Sequence, residues 1–309
     1  MRSRKADHYS RGAATRTAAA GCCALIAAVL GTPPTVSAGC DAPQELRFGF
    51  SGVVVRSDME TLGIFLDLLE DETGHTFDGT LTRSCREMME RIEEGSVDIA
   101  HLCGAPYTML RDGDRPPEPL VAPQLGDAEG DYSMVLVRAD SRYDSLDDLA
   151  GQPYAFSDPL SALGSLVPTI HLDEAGIGTD DHFAPLLYIH DHAESARAVE
   201  AGLVEGASVG GLALRHLEQA APELSEQLRI AERFGPYPAA PVIARQDLCA
   251  ETRESITAAL TGLADSADGR ALLEDLGHDG FAPVEPEDFE ALKAIVDRIR
   301  ERGLMPNAR

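Results

Sequence analysis

The sequence contains no tryptophan, and aromatic residues make up only 5% of its 309 residues. This scarcity argues against a surface that stacks the bases of single-stranded nucleic acid or the rings of sugars. Positive charge is scarce too, since 26 Lys and Arg residues stand against 52 Asp and Glu residues and give a formal net charge of -26. Such an acidic surface repels DNA, RNA and anionic lipid at long range, so we expect no nucleic-acid partner.

Several signatures of cofactor binding and metal binding are also missing. The chain has no Walker loop, no G-x-G-x-x-G fingerprint and no C-x-x-C pair, so we expect no cofactor. Residues 188–192 read Y-I-H-D-H, which brings two imidazoles and a carboxylate together. No third ligand follows at a metal-binding spacing, and we interpret this segment as a strand-end loop with one ligand-facing His rather than a metal site.

The N-terminal segment has the three parts of a secretory signal peptide. Five basic residues and one acid lie within residues 1–16, an apolar run covers residues 22–30, and residues 36–38 read V-S-A. The apolar run is too short to span a bilayer, which needs ~20 apolar residues. We therefore predict that residues 1–38 are a cleaved signal peptide and that the mature chain is periplasmic or secreted. An uncleaved N-terminal anchor is the alternative.

Four cysteines follow the predicted signal, namely Cys40, Cys85, Cys103 and Cys249. An oxidising compartment allows up to two disulfides among them, in three possible pairings. A Cys85–Cys103 bridge is one candidate, because in an α/β lobe both positions fall at the same sheet edge. The segment around Cys40 reads S-A-G-C and is similar to a bacterial lipobox, so Cys40 is a candidate for lipidation. Ser37 stands where a large aliphatic residue is usual.

Strand-like and helix-like segments alternate along the remaining chain and predict an α/β fold with mainly parallel sheets. In such sheets ligands bind beyond the carboxyl ends of the strands, beside helix N-termini. The candidate ligand loops are those that follow Phe50, Leu102, Phe156, Ile189 and Val209.

The most informative of these loops lies within residues 154–168, which read Y-A-F-S-D-P-L-S-A-L-G-S-L-V-P. A strand ends at Phe156, and Asp158 and Pro159 suit the start of a helix. Backbone N–H groups at such a helix start can hold a phosphate, sulfate or carboxylate. A simple helix cap without a ligand is the alternative interpretation.

This loop resembles the D-P-x-S-T-S-G loop of the substrate-binding proteins of phosphate, phosphite and phosphonate ABC transporters. The matching residues are Asp158, Pro159, Ser161, Gly164 and Pro168.

Further resemblances to the same family run along the chain in the family's order. Residues 95–100 read G-S-V-D-I-A, residues 103–107 read C-G-A-P-Y and residues 280–284 read G-F-A-P-V. His192 matches the family's binding-site His. Together the matches extend over residues 46–284, nearly the whole mature chain.

The resemblance implies a bilobal type II periplasmic-binding-protein fold, with two α/β lobes and a ligand cleft between them. Lobe 1 is expected at residues 45–131 plus 234–309, and lobe 2 at residues 138–233. The chain is expected to cross between the lobes near residues 132–137 and 234–238.

The resemblance also implies a set of ligand-binding residues. They are Tyr107, Ser157, Ser161, Ala162, Leu163, Gly164, Ser165, His192 and Gly210. Ala162 and Leu163 stand where the family carries hydroxyl groups, and Gly210 stands where an acid or amide is common. We therefore expect a pocket with an apolar wall, suited to an anionic head that carries an apolar group.

The expected function is an exported, monomeric and non-catalytic solute-binding protein. It would deliver a phosphonate-like or phosphate-like oxyanion, or a related organic anion, to an ABC permease in the inner membrane. Two alternatives are a ligand-binding partner of a membrane sensor and a secreted hydrolase or transferase on a similar frame. We find no residue that sequence alone would assign as catalytic.

The missing hydroxyl groups lead to a first prediction. Changing Ala162→Thr together with Leu163→Ser should raise the affinity for phosphate or a short phosphonate about tenfold, or about 1.4 kcal/mol, by restoring two donors. Titration calorimetry on the double variant measures this. Tight phosphate binding by the unaltered protein, or no gain in the variant, would contradict the placement of these two residues.

Overall fold

The computed structural model describes residues 45–51, 59–126 and 130–306. The predicted signal peptide, residues 1–38, and the lipidation candidate Cys40 lie outside these ranges. Within them, no helix combines the length and the apolar composition needed to cross a membrane.

Eleven strands are present in these ranges. They are β1 Glu45–Ser51, β2 Thr76–Thr82, β3 Ile99–His101, β4 Glu118–Gln124, β5 Asp131–Arg138, β6 Tyr154–Phe156, β7 Leu186–Tyr188, β8 Gly206–Gly210, β9 Leu228–Tyr237, β10 Val242–Ala244 and β11 Gly280–Pro283.

The α-helices of the same ranges alternate with these strands. They are α1 Met59–Thr73, α2 Cys85–Glu93, α3 Gly104–Leu110, α4 Val167–Glu174, α5 Thr179–His182, α6 His192–Glu200, α7 Gly211–Ala220, α8 Pro222–Ser225, α9 Ala250–Gly262, α10 Ala267–Leu276 and α11 Glu290–Glu301. Short 3-10 turns cover Asp147–Leu149, Leu263–Asp265 and Pro286–Phe289, and a π turn covers Ala162–Leu166.

The strands form two mixed sheets, with the orders β11-β4-β10-β3-β1-β2 and β7-β6-β8-β5-β9. We call each sheet with its helices lobe 1 and lobe 2, respectively. The expected bilobal α/β fold is confirmed. The expectation of mainly parallel sheets is wrong, because β4, β10 and β11 pair antiparallel in lobe 1 and β5 pairs antiparallel with β8 and β9 in lobe 2. The strands in which the chain enters each lobe from the other, β5 and β10, run against the β-α-β direction, as does β11.

The chain passes twice between the sheets, after β4 and after β9. The two segments expected as crossings are neighbours in lobe 2, where the β5–β9 pairing sets Ser133 opposite Phe234. The limits of the two lobes as folding units stay a prediction.

Lobe 1 is built on an aromatic cluster between β1 and α1. Leu62, Phe65 and Leu69 recur at helical spacing on one side of α1 and are buried. The Phe65 ring meets the rings of Phe48 and Phe50 edge-on, with centroids 5.5 and 5.6 Å apart. Edge-to-face contacts of this kind add to the burial of the rings themselves.

A disulfide joins Cys85, at the start of α2, to Cys103, just after β3, with their Cα atoms 6.0 Å apart. It ties two segments at the carboxyl edge of the lobe 1 sheet. Cys249, before α9, is also disulfide-bonded.

The lobes share a buried hydrophobic cluster between α4 and α11, and ion pairs surround it. Arg298 and Arg302 of α11 pair with Glu174 and Asp173 at the end of α4. On α7 of lobe 2, Arg215 forms two hydrogen bonds to Asp279, which precedes β11, at 2.6 and 2.9 Å. These pairs are partly exposed, and such pairs contribute little energy each.

The buried Asp98, which directly precedes β3, links that strand to β1. Its side chain is 4% exposed and accepts hydrogen bonds from the backbone and guanidinium of Arg47 at 2.7–2.9 Å. Arg245 forms a second ion pair with it at 2.9 Å. Burial alone would raise the pKa of Asp98, but the bonds from Arg47 and the charge of Arg245 outweigh it and hold the pKa below its ordinary value.

This geometry predicts that Asp98→Asn lowers the free energy of unfolding by about 2–3 kcal/mol near neutral pH. Because the folded pKa is below the unfolded one, the stabilisation is complete above about pH 4 and is lost as the pH falls further. Urea unfolding at several pH values measures both effects, with the exposed Asp78→Asn on β2 as the matched control. If the difference in unfolding free energy between wild type and variant is as large at about pH 2 as at neutral pH, the carboxylate does not have this role.

Candidate functional site

A cavity of about 50 Å³ lies between the two lobes. Its lining residues are Cys103, Gly104, Asp131, Ser161, Ala162, Leu163, His192, Gly210, Leu212, Ala213, Pro238, Ala240 and Leu292. They come from the segments after β3, β6, β7 and β8, which are carboxyl ends of strands, and from β5, the β9–β10 passage and α11. Four of the five loops chosen from sequence therefore contribute, and the loop after Phe50 falls largely outside the described ranges.

The structure brings five of the nine expected residues to the cavity wall: Ser161, Ala162, Leu163, His192 and Gly210. Three others lie close behind the wall. The Oγ of Ser157 is 3.4 Å from Nε2 of His192, and Gly164 and Ser165 are buried in the adjoining π turn.

Tyr107 is the exception and requires a correction. It does not line the cavity but is fully buried in lobe 1, where its ring meets Phe289 edge-on at 4.8 Å. Burial raises the pKa of its hydroxyl to about 12. The side chain faces the core because α3 turns this position toward the segment before α11, about 180 residues later in the chain.

The loop after β6 is held in shape by its own side chains. The Oδ1 of Asp158 accepts the N–H of Leu160 at 2.8 Å, and the Oγ of Ser161 accepts the N–H of Gly164 at 3.0 Å. Ser133 of β5 donates to the carbonyl of Leu163 at 2.5 Å and anchors the loop on the sheet. The N–H groups of Ala162 and Leu163 belong to the first helical turn and have no intrahelical acceptor, so they are available to a ligand.

Gly164 allows this loop to pack closely against its neighbours. A Cβ atom at this position would lie 1.7 Å from Oγ of Ser157 and 2.9 Å from Cε1 of His192. Any side chain would therefore displace both polar groups. The glycine is required here by close approach and not by an unusual backbone angle.

His192 has a fixed hydrogen-bonding role. Its Nδ1 accepts the backbone N–H of Gly210 at 3.0 Å, so the neutral ring carries its proton on Nε2. That nitrogen is 3.4 Å from the hydroxyl oxygens of both Ser157 and Ser161. Burial lowers the pKa of His192 to about 4, so the ring is an uncharged donor at neutral pH.

Asp158 contacts the opposite lobe and does not line the cavity. Its Oδ2 accepts the N–H of Cys85 at 3.4 Å and lies 3.1 Å from Nδ1 of His190. Within the ranges that the structure describes, no three His, Cys, Asp or Glu residues are placed to hold a metal ion.

The sequence interpretation missed Asp131, a buried carboxylate in the cavity wall. It also missed the apolar wall formed by Leu212, Ala213, Pro238 and Leu292. The only feature of the sequence that could have pointed to Asp131 is its place at the start of a strand, next to a predicted crossing.

A bilobal α/β fold with a polar cleft between the lobes defines the class of solute-binding proteins. The family described as "ABC transporter, phosphonate, periplasmic substrate-binding protein" matches residues 54–289, and the chain belongs to that family. Its members are periplasmic components of transporters.

Solved structures share the fold. A binding-protein component of an ABC phosphonate transporter from Pseudomonas aeruginosa is 20% identical, with a TM-score of 0.76 over 87% of this chain and 90% of that chain. PhnD1 from Prochlorococcus marinus, in complex with methylphosphonate, is 15% identical, with a TM-score of 0.73 over 84% and 99%. The aliphatic sulphonate binding protein SsuA from Escherichia coli is 17% identical, with a TM-score of 0.58 over 86% and 95%.

The site geometry predicts that His192 does not titrate in the physiological range. Its Hε1 resonance should hold its position from about pH 8 to about pH 5 and move only as the pH nears about 4, because burial disfavours the imidazolium. Proton–carbon NMR measures this, with the resonance assigned by its loss in His192→Gln. A midpoint at the ordinary value of about 6.5 would contradict the enclosed ring.

Proposed function

We propose that this chain binds a compact phosphonate-type oxyanion in its cleft and delivers it to an ABC permease. The observation that carries the proposal is the convergence of donors on one cavity. His192 offers Nε2–H, Ser161 offers a hydroxyl, and Ala162 and Leu163 offer backbone N–H groups. Neutral donors of this kind hold oxyanions at helix starts without any cationic side chain.

The size of the cavity favours a small solute. A volume of about 50 Å³ corresponds to on the order of three or four water molecules, close to one compact oxyanion. The carbon atoms of Leu163 and Leu212 in the wall favour one small apolar substituent. The Prochlorococcus relative was solved with methylphosphonate, which has this form.

The orientation of His192 weighs against the hydrolase alternative. A serine nucleophile needs an unprotonated imidazole nitrogen to take its proton. Here Nδ1 already accepts from Gly210, so the nitrogen that faces Ser161 is protonated.

A nucleophile motif of hydrolases is also present in spacing alone. The sequence G-A-S-V-G at Gly206–Gly210 has the G-x-S-x-G spacing, but it forms the whole of β8. The hydroxyl of Ser208 is buried there and pairs with the hydroxyl of Tyr154 at 2.7 Å. We infer that the protein is not an enzyme.

We infer that the exported protein acts as a monomer in the periplasm, with an ABC permease and a small anionic solute as its partners. Release by signal cleavage and lipid anchoring through Cys40 both fit this role. The strongly acidic surface argues against a nucleic-acid partner.

Calorimetry with methylphosphonate tests the proposed function. The wild type should bind with a dissociation constant in the micromolar range or tighter, and Ser161→Ala and His192→Ala should each weaken binding about tenfold or more by removing one donor to the anion. Ser255→Ala on α9 and His75→Ala are the matched controls, since neither residue lines the cavity. Full affinity in both cleft variants would place the ligand elsewhere.

A further inference from the structure

Among the residues that the structure describes, Asp131 is the only acidic residue that lines the cavity, and no Lys or Arg lines it. It opens β5, and its side chain is 5% exposed. Since β5 pairs with β8 so that Ser133 is opposite Gly210, Asp131 falls beside the start of α7. The cavity is therefore lined by one carboxylate, one neutral imidazole, a hydroxyl and carbon.

The two oxygens of this carboxylate have different surroundings. The Oδ1 atom accepts the N–H of Tyr132 at 2.7 Å and the N–H of Leu212 at 3.2 Å, which fixes the side chain and caps α7 from another strand. The Oδ2 atom lies 3.5 Å from the point where a Cβ on Gly210 would stand. The same point is 3.6 Å from Cδ1 of Leu163 and 3.8 Å from Cε1 of His192.

Gly210 thus leaves an open space into which Oδ2 of Asp131, the Leu163 side chain and the His192 ring all face. Burial raises the pKa of Asp131 to about 6, and at neutral pH the group is mainly a carboxylate. An anionic oxygen placed beside it without a counter-ion would be strongly disfavoured in this enclosed space. A ligand atom that carries a proton would instead gain a charge-assisted hydrogen bond.

We infer that Asp131 determines specificity by accepting a hydrogen bond from a donor on the solute itself. Resting on the proposed function, this inference narrows the substrate class to oxyanions that carry their own donor, such as a singly protonated phosphonate or an aminoalkylphosphonate. Oxyanions that carry no donor, sulfonates included, are rejected. One end of the solute meets the donors of His192 and the loop, and its proton meets Asp131.

Two probes of nearly the same shape test this inference. Methylphosphonate is largely a monoanion with one P–OH group near neutral pH, whereas methanesulfonate has no proton to donate. By calorimetry, wild type should bind methylphosphonate about tenfold or more tightly than methanesulfonate. In Asp131→Asn the amide oxygen can still accept from Tyr132 and Leu212, but an NH₂ donor replaces Oδ2, and the preference should fall below about threefold or reverse.

The controls separate this inference from a role in stability. Asp78→Asn removes an exposed carboxylate and should keep the wild-type preference. If Asp131 has a purely structural role, Asp131→Asn should weaken the binding of both probes equally and leave the ratio of their affinities unchanged. If Asp131→Asn does not fold, the ratio of the wild type's affinities for methylphosphonate and methanesulfonate tests the inference by itself.

The outcomes also separate this inference from the proposed function. A wild type that binds methylphosphonate no better than methanesulfonate overturns the inference and leaves oxyanion binding intact, as does an Asn variant that keeps the preference. A wild type that binds neither probe, nor aminomethylphosphonate, overturns both. Tighter binding of aminomethylphosphonate than of methylphosphonate, lost in the Asn variant, would identify an ammonium group as the donor.

Discussion

The hydrogen bond from the Gly210 backbone to Nδ1 of His192 sets the chemistry of the cleft. It joins the end of β8 to the start of α6 and fixes the tautomer of an imidazole that burial keeps neutral. Nε2–H then faces the hydroxyl groups of the loop after β6, and that loop packs closely because residue 164 is a glycine. This one backbone contact decides which nitrogen of the imidazole faces the cavity as a donor.

Under the proposed function, anion recognition relies on dipoles rather than on opposite charges. The cavity wall, as far as the structure describes it, contains neutral donors and one carboxylate, in a chain of net charge -26. Directed N–H and O–H groups discriminate by geometry and by the protons of the ligand, which a general positive field does not do. An acidic surface and a pocket that selects its ligand by directed hydrogen bonds can therefore occur in the same protein.

The lobes are joined mainly by the buried hydrophobic cluster that α4 and α11 share, and the polar contacts around it are weaker. Partly exposed ion pairs such as Arg215–Asp279 contribute little energy each, and the buried bond from Cys85 to Asp158 is a single hydrogen bond. The Cys85–Cys103 disulfide keeps the lobe 1 side of this contact rigid.

The sequence by itself determined the α/β alternation, the loop after β6 and five residues of the cavity wall, because these features depend on local turn chemistry and on the rule that ligands bind at carboxyl ends of strands. Only the tertiary structure decided the mixed direction of the sheets, the burial of Tyr107 and the place of Asp131 in the cavity wall. Asp131 meets the N–H of Leu212, 81 residues later, and Tyr107 meets Phe289. Local periodicity shows that a side chain is buried, but its partner is set by which distant strands and helices pack together.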